Sequence, residues 1–180
     1  MKADYLQLWN LFKSSLLEAL KETNTDEFDK GWSTSPQRTL FYFDTLLPKV
    51  AKKMNLKYEL ETFFRVDITF YKEAGQTSKI PIVYIESEND VRTTEGEVIK
   101  LCRLNAPLKI IMVVNDWNDS SKKIISEGFW EYIIEDFKDE SLLTGYFAFI
   151  IGERNNGLKF YSYVYNELAE IIEDKLLVEI

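Results

Sequence analysis

The charged residues between Tyr58 and Asn89 have the types and spacing that metal-assisted chemistry needs. Glu61, Arg65 and Asp67 stand two or four positions apart, and the stretch closes on Glu86-Ser87-Glu88-Asn89. Side chains in an extended strand alternate faces with a period of two. A strand from about Lys57 to Tyr71 puts Glu61, Arg65 and Asp67 on one face and Phe64, Val66, Ile68 and Phe70 on the other. A second strand, Ile80 to Glu88, sets Glu86 and Glu88 on one face, with Val83 and Ile85 opposite. If the two pair with polar faces aligned, several carboxylates converge beside one arginine. Crowded like charges are costly unless a cation holds them. Mg²⁺ takes one or two carboxylates along with waters and phosphate oxygens. The stretch is a candidate site for Mg²⁺ or Mn²⁺, and its plainer alternative is the solvent face of an antiparallel hairpin.

Composition removes most other chemistries. The 180 residues contain no histidine, which excludes Ser-His-Asp and Cys-His nucleophile systems, HExxH proteases and zinc fingers. The lone Cys102 admits no internal disulfide or cysteine cluster and suits a reducing, cytoplasmic compartment. The seven glycines are scattered and form neither a P-loop nor a GxGxxG turn. No apolar run is long enough to cross a bilayer, so no membrane role is expected. Met1-Lys2-Ala3-Asp4 carries an early acid and no small-residue cleavage site, so no signal peptide is expected. A net charge of −8 argues against nucleic-acid affinity from the overall field, although it leaves room for a local basic groove. Lys49, Lys52, Lys53 and Lys57 precede the first strand, and Lys100, Arg103 and Lys109 follow the second. Solvated faces are the simpler reading of both clusters.

The elements that must position these residues follow from periodicity. Residues 4–21 read as an amphipathic helix striped by Tyr5, Leu8, Trp9, Phe12, Leu16, Ala19 and Leu20. Thr23–Pro36 reads as a loop around Gly31 and Trp32. A second helix, Gln37–Asn55, contains Pro48, which should kink or divide it. The two strands follow, joined as an antiparallel hairpin by Lys72–Lys79. Thr94, with Glu97 three residues on, matches a capping box for a helix burying Val98, Leu101 and Cys102. Leu108–Val114 is continuously apolar, as in a strand buried on both faces. A helix from Ser121 to Phe137 is expected to bury Ile125, Phe129, Ile133 and Phe137. Tyr146–Ile151 and Leu158–Tyr165 read as strands joined by a turn at Glu153-Arg154-Asn155-Asn156-Gly157, and 166–177 as a closing helix. With no repeat or linker, these elements describe one α/β domain over 1–180, a mixed sheet of about five strands flanked by helices.

Arg65-Val66-Asp67, then Glu86-Ser87-Glu88-Asn89 after a Pro81–Ile85 strand, then Lys100-Leu101 on the next helix, resemble the PD-(D/E)XK nuclease superfamily, the restriction-endonuclease-like fold. The likeness spans roughly Trp32–Asn115 and is nearest to a poorly characterised branch with an E-x-E-N strand end. It implies that Asp67 and Glu86 are metal ligands. Val66 stands where the family name has proline, and Glu88 where the usual motif has lysine. Some members supply that lysine from the following helix, which here points to Lys100. Glu18 or Glu22 on the first helix would match the family's additional acid.

Two functions follow as expectations. The first is a Mg²⁺- or Mn²⁺-dependent phosphodiester hydrolase acting on nucleic acid. Asp67 and Glu86 would hold the ion, and Glu88 or Lys100 would serve the attacking water. The second is the same fold retained as a catalytically inactive binding or assembly module for protein or nucleic acid, with Phe160–Tyr165 as an edge or homodimer contact. Glu97 and Lys100 also fit a surface ion pair, Cys102 a core position, and Trp32 packing on the core.

Overall fold

Asp4 starts the first helix, its carboxylate accepting a hydrogen bond from Gln7 N at 2.9 Å, the standard satisfaction of a free helical N–H. In the computed structural model, which describes residues 4–62, 64–75, 77–155 and 157–180, this helix (α1) runs Tyr5–Lys21 and buries Trp9, Phe12, Leu16, Ala19 and Leu20. Met1–Ala3, read above for a leader, and Asn156, read as part of a turn, lie outside the described residues. The chain divides into two compact units, Met1–Val83 and Tyr84–Ile180.

In the first unit the expected Thr23–Pro36 loop contains a helix, α2 (Thr25–Gly31). Asn24 and Glu27 form a reciprocal capping box at its start. Trp32 is buried, with the Arg38 guanidinium 5.0 Å from its ring. The helix expected over 37–55 is α3 (Ser35–Leu40), a π-helical segment (Phe41–Leu46) and α4 (Leu47–Lys53). Pro48 has no N–H to give the preceding turn, and the chain takes the wider i→i−5 pattern just before it, with Leu47 N donating to Tyr42 O. The proline widens this helix rather than breaking it.

The expected strand 57–71 is two strands. β1 (Lys57–Thr62) and β2 (Val66–Ala74) pair antiparallel, Leu60 opposite Ile68 and Thr62 opposite Val66. Phe64 and Arg65 have φ of 69° and 60°, the left-handed conformation that lets a chain reverse tightly. Phe64, expected on the apolar face, is therefore exposed. β3 (Ser78–Glu88) neighbours β2. Residues 75–77 are too short for a crossover, so the pair is antiparallel as expected.

The second unit takes the end of β3, a 3₁₀ turn (Val91–Thr93), α5 (Glu95–Cys102) and β4 (Leu108–Val114). Six of β4's seven residues are buried, as its apolar run requires. Lys109, grouped above with solvated basic residues, is one of them, with no exposed surface. α6 (Asp119–Lys122), a π-helical segment (Lys123–Trp130) and α7 (Glu131–Asp139) carry the chain to β5 (Tyr146–Glu153), which pairs parallel with β4. The wide π turn, in which Glu131 N donates to Ser126 O, rotates the buried stripe. Ser126, Trp130 and Ile134 are buried, while Ile125, Phe129, Ile133 and Phe137 are only half-buried. Trp130 stacks on Phe149 at 3.6 Å between ring centroids. β6 (Lys159–Tyr165) and β7 (Ile171–Glu179) are antiparallel partners. The closing helix is thus a strand, and Phe160–Tyr165 is an interior strand between β5 and β7 rather than an edge. Among the described residues the sheet is mixed and seven-stranded, ordered β1 to β7, where about five strands were expected. The α/β class stands.

Candidate functional site

Four consecutive residues of β3, Val83 to Glu86, are buried. Alternation gives the apolar interior Val83 and Ile85 on one face, and it carries Glu86 indoors on the other. Glu86 is only 2% exposed. A carboxylate in that position needs a counter-charge or hydrogen bonds to stay ionised. Lys100 supplies the charge, its Nζ lying 2.6 Å from Glu86 Oε1. Glu97, three residues earlier on α5, also pairs with Lys100 Nζ. The Glu97–Lys100 pair read from the sequence is therefore half of a triad that ties α5 to β3. Burial pulls the Lys100 pKa down, but hydrogen bonds to Glu86 and Glu97 outweigh it and the net displacement is upward. Lys100 is held as a cation, which suits stabilising negative charge and not abstracting a proton.

The joint between β3 and α5 fixes this geometry. Asp90 caps the 3₁₀ turn by accepting from Arg92 N at 2.9 Å, and it grips Arg92 Nη2 at 2.6 Å. Hydrogen bonds first from the Arg92 side chain and then from its backbone hold the Asp90 carboxyl down to about 2. Thr93 Oγ1 lies 3.0 Å from Glu88 Oε2 and 2.7 Å from Asp90 O, so one hydroxyl orients Glu88. Thr94 makes no side-chain cap, contrary to the capping-box expectation. Its buried hydroxyl donates to Val91 O at 2.7 Å and accepts from Trp130 Nε1 at 2.9 Å. Tertiary packing has taken the group that local sequence assigned to the helix end.

The remaining expected site residues belong to the first unit. Asp67 is half-buried on β2 between buried Val66 and Ile68. Glu61 is exposed on β1 with φ 51°, and Arg65 is exposed in the turn that follows it. The three do not follow one another along a single strand: the turn puts Glu61 on β1 and Asp67 on β2, both between the cross-strand pairs Leu60–Ile68 and Thr62–Val66. Glu18 and Glu22 on α1 lie 3.4 and 2.6 Å from Lys53 Nζ. The hydrogen bond to Glu22 leads the causes that raise the Lys53 pKa, and the same bond lowers that of Glu22. These two acids are engaged with a lysine. Lys57, of the same basic cluster, pairs with Glu73 at 2.7 Å. Cys102 is core, and burial pushes its thiol up to about 12. Among the described residues, no group of three or more His, Cys, Asp or Glu is gathered to hold a metal ion, and no helix is long and apolar enough to cross a membrane.

A groove of about 480 Å³ opens in the second unit, lined by Asn89, Asp90, Arg92, Val114, Asn115 and Ile124 among others. Its residues follow the carboxyl ends of β3 and β4, where open α/β sheets take ligands. Sequence reading missed the joining of Glu97 and Glu86 through Lys100, the Asp90–Arg92 clamp and the Thr94–Trp130 bond. Of these only Asp-x-Arg, a self-capping turn, carried a local signal. Compared with known proteins, the chain matches no family model, and no curated protein matches it.

Proposed function

We propose that this protein is a metal-dependent phosphodiester hydrolase acting on nucleic acid. The observation that carries the reading is the buried Glu86 carboxylate at the end of β3, set against Lys100 from the next helix. An acid on the third strand and a lysine on the following helix are what the PD-(D/E)XK resemblance implies. The donor set fits a hard cation: Glu86 and Glu88 offer carboxylate oxygens two residues apart, and Mg²⁺ needs only one or two such ligands. A bound Mg²⁺ or Mn²⁺ would neutralise the scissile phosphate and acidify a water. Glu86 is the ligand that the second unit supports, while Asp67 on β2 keeps the ligand role implied by the resemblance. In this reading Glu88, held by Thr93, accepts the water's proton. Lys100, cationic, stabilises the developing negative charge.

A second reading rests on one feature of the same triad. Lys100 is paired with two carboxylates, so each acid of the cluster already has a cationic neighbour without an added ion. That favours a structural clasp in a non-catalytic binding module. The two readings separate in a thermal-shift titration with Mg²⁺ and Mn²⁺, run beside a plasmid and RNA cleavage assay. The hydrolase reading expects ligand-linked stabilisation and metal-dependent cleavage, both lost in Glu86→Gln and weakened in Asp67→Asn. No stabilisation and no cleavage with either ion would leave the clasp.

A further inference from the structure

The last strand, β7, leaves the chain with an unusual edge. It is the terminal strand of the sheet order, nine residues long, and long open edges are templates for pairing. Ile171, Ile172 and Leu176 are 46%, 39% and 45% exposed, and Leu168 and Ile180 on either side are exposed as well. Two register shifts, at Phe160/Tyr161 and Val164/Tyr165, bracket a regular segment, Glu173–Leu176, paired with Val164–Tyr161. Bulges of this kind twist the ends of an edge strand away from neighbours and leave the middle as the place where another strand can add. The opposite edge, β1, is less suited. Glu61 at φ 51° interrupts it, and its Lys57 and Glu59 are turned to Glu73 and Lys79.

We infer that β7 is a homodimer interface, adding antiparallel to β7 of a second copy in a register centred on Asp174. A two-fold axis normal to the sheet keeps every side chain on its own face, so opposed residues must share a face. Centred on Asp174, each Glu173 lies opposite Lys175 of the copy. Glu173 and Lys175 are already 3.1 Å apart within one chain, so two copies complete a ring of four alternating charges. The central aspartates would repel, but each is neutralised by its own Lys122, at 3.0 and 3.1 Å from the two carboxylate oxygens. Exposed Leu176, at the end of the regular segment, is carried toward the bulge at Ile172 of the copy. A register centred on Lys175 opposes two lysines and leaves Glu173 facing Leu177, so charge favours the Asp174 centre. Such pairing is closed: it consumes the edge and gives a dimer, not a fibre. This interface does not depend on the activity proposed above.

Sedimentation velocity over a dilution series tests it. Wild type should be a dimer that dissociates on dilution. Lys175→Glu places two like-charged pairs across the seam and should weaken the dimer by about tenfold or more. The swap Glu173→Lys with Lys175→Glu restores opposite charges and should restore dimerisation, which a misfolded variant would not do. Asp174→Cys should form an intermolecular disulfide on mild oxidation, since only in this register does residue 174 face its copy; Ile172→Cys should not. Far-UV circular dichroism checks that each variant is folded. A wild type that stays monomeric at every concentration overturns the inference, as does a dimer indifferent to Lys175→Glu or crosslinked through 172 and not 174.

Discussion

Lys109 offers the sharpest quantitative test of the fold. It sits in the middle of the sheet with no exposed surface, its Nζ donating to Thr144 O and, at 3.3 Å, to Thr144 Oγ1. Neutral acceptors do not balance an ammonium charge. Burial, opposed weakly by Cys102, draws the Lys109 pKa from an ordinary 10.5 to about 8. Between those two values the unfolded chain holds a proton that the folded chain has released, so stability rises with pH there. Below about pH 8 both states are protonated and the dependence is flat. The gap is worth about 3 kcal/mol in total, of which about 1 kcal/mol falls between pH 8 and 9. Cys102 acts in the opposite sense: its thiol, raised to about 12, costs stability as pH passes the unfolded thiol's value near 9. Both wild type and Lys109→Met retain that burial-driven term, altered in the variant only by loss of the Lys109 charge that lowers the thiol. Urea unfolding followed by tryptophan fluorescence at pH 7, 8 and 9 supplies the free energies. The variant loses the donor to Thr144, costing about 1–3 kcal/mol, but escapes the cost of burying a charge, so it should lie near wild type at pH 7. From pH 8 to 9 wild type should gain about 1 kcal/mol on it. Parallel stability profiles for the two proteins across that interval would show that Lys109 is not a buried, strained cation.

Two further substitutions probe the second unit. Thr94→Val removes the acceptor of Trp130 Nε1 and the donor to Val91 O, leaving a buried indole N–H unpaired. It should cost about 1–3 kcal/mol in urea unfolding and shift the Trp emission; an unchanged spectrum and midpoint would remove Thr94 from the joint. Gly145 has φ 68°, and a Cβ there would lie 2.4 Å from the carbonyl oxygens of Ala106 and Pro107. Gly145→Ala should therefore destabilise by more than the roughly 1 kcal/mol of a conformational penalty alone. A thermal midpoint equal to wild type would mean that the backbone there yields freely.

The parts of the fold that could be read from sequence were those fixed by one dominant local signal. β4 announced itself because Leu108–Val114 has no polar side to show except Lys109, and the buried face of α5 followed from Val98, Leu101 and Cys102. α2 was equally legible through Asn24 and Glu27, whose reciprocal bonds form as a capping box should, yet the surrounding polar residues read as loop. The β1–β2 turn was not legible. Its reversal is made by Phe64 and Arg65 at positive φ, residues that carry no turn signature, and unbroken alternation ran straight through them. The π segment before Trp130 had no marker either, and it shifted the buried stripe by one residue.

β7 and the contacts of the acidic site were illegible for a shared reason that bears on function. Leu168, Ile171, Ile172 and Leu176 fit helical spacing, but an edge strand with both ends bulged has no clean period of two to compete with it. Only the presence of β6 decides the matter, and that is tertiary information. In the same way Glu86 and Glu88 were selected by spacing and Lys100 by the resemblance, whereas their roles depend on contacts that neither contains. Glu97 joins Lys100, Thr93 orients Glu88, and burial commits Glu86 to a charged partner. A lysine shared between two acids is poorly suited to act as a base and well suited to act as a cation. The proton-accepting role in the proposed hydrolysis therefore moves to Glu88, the position at which this chain departs from the usual lysine. If Glu88→Gln abolishes cleavage while Lys100→Arg preserves part of it, the departure is a redistribution of roles and not a loss of them.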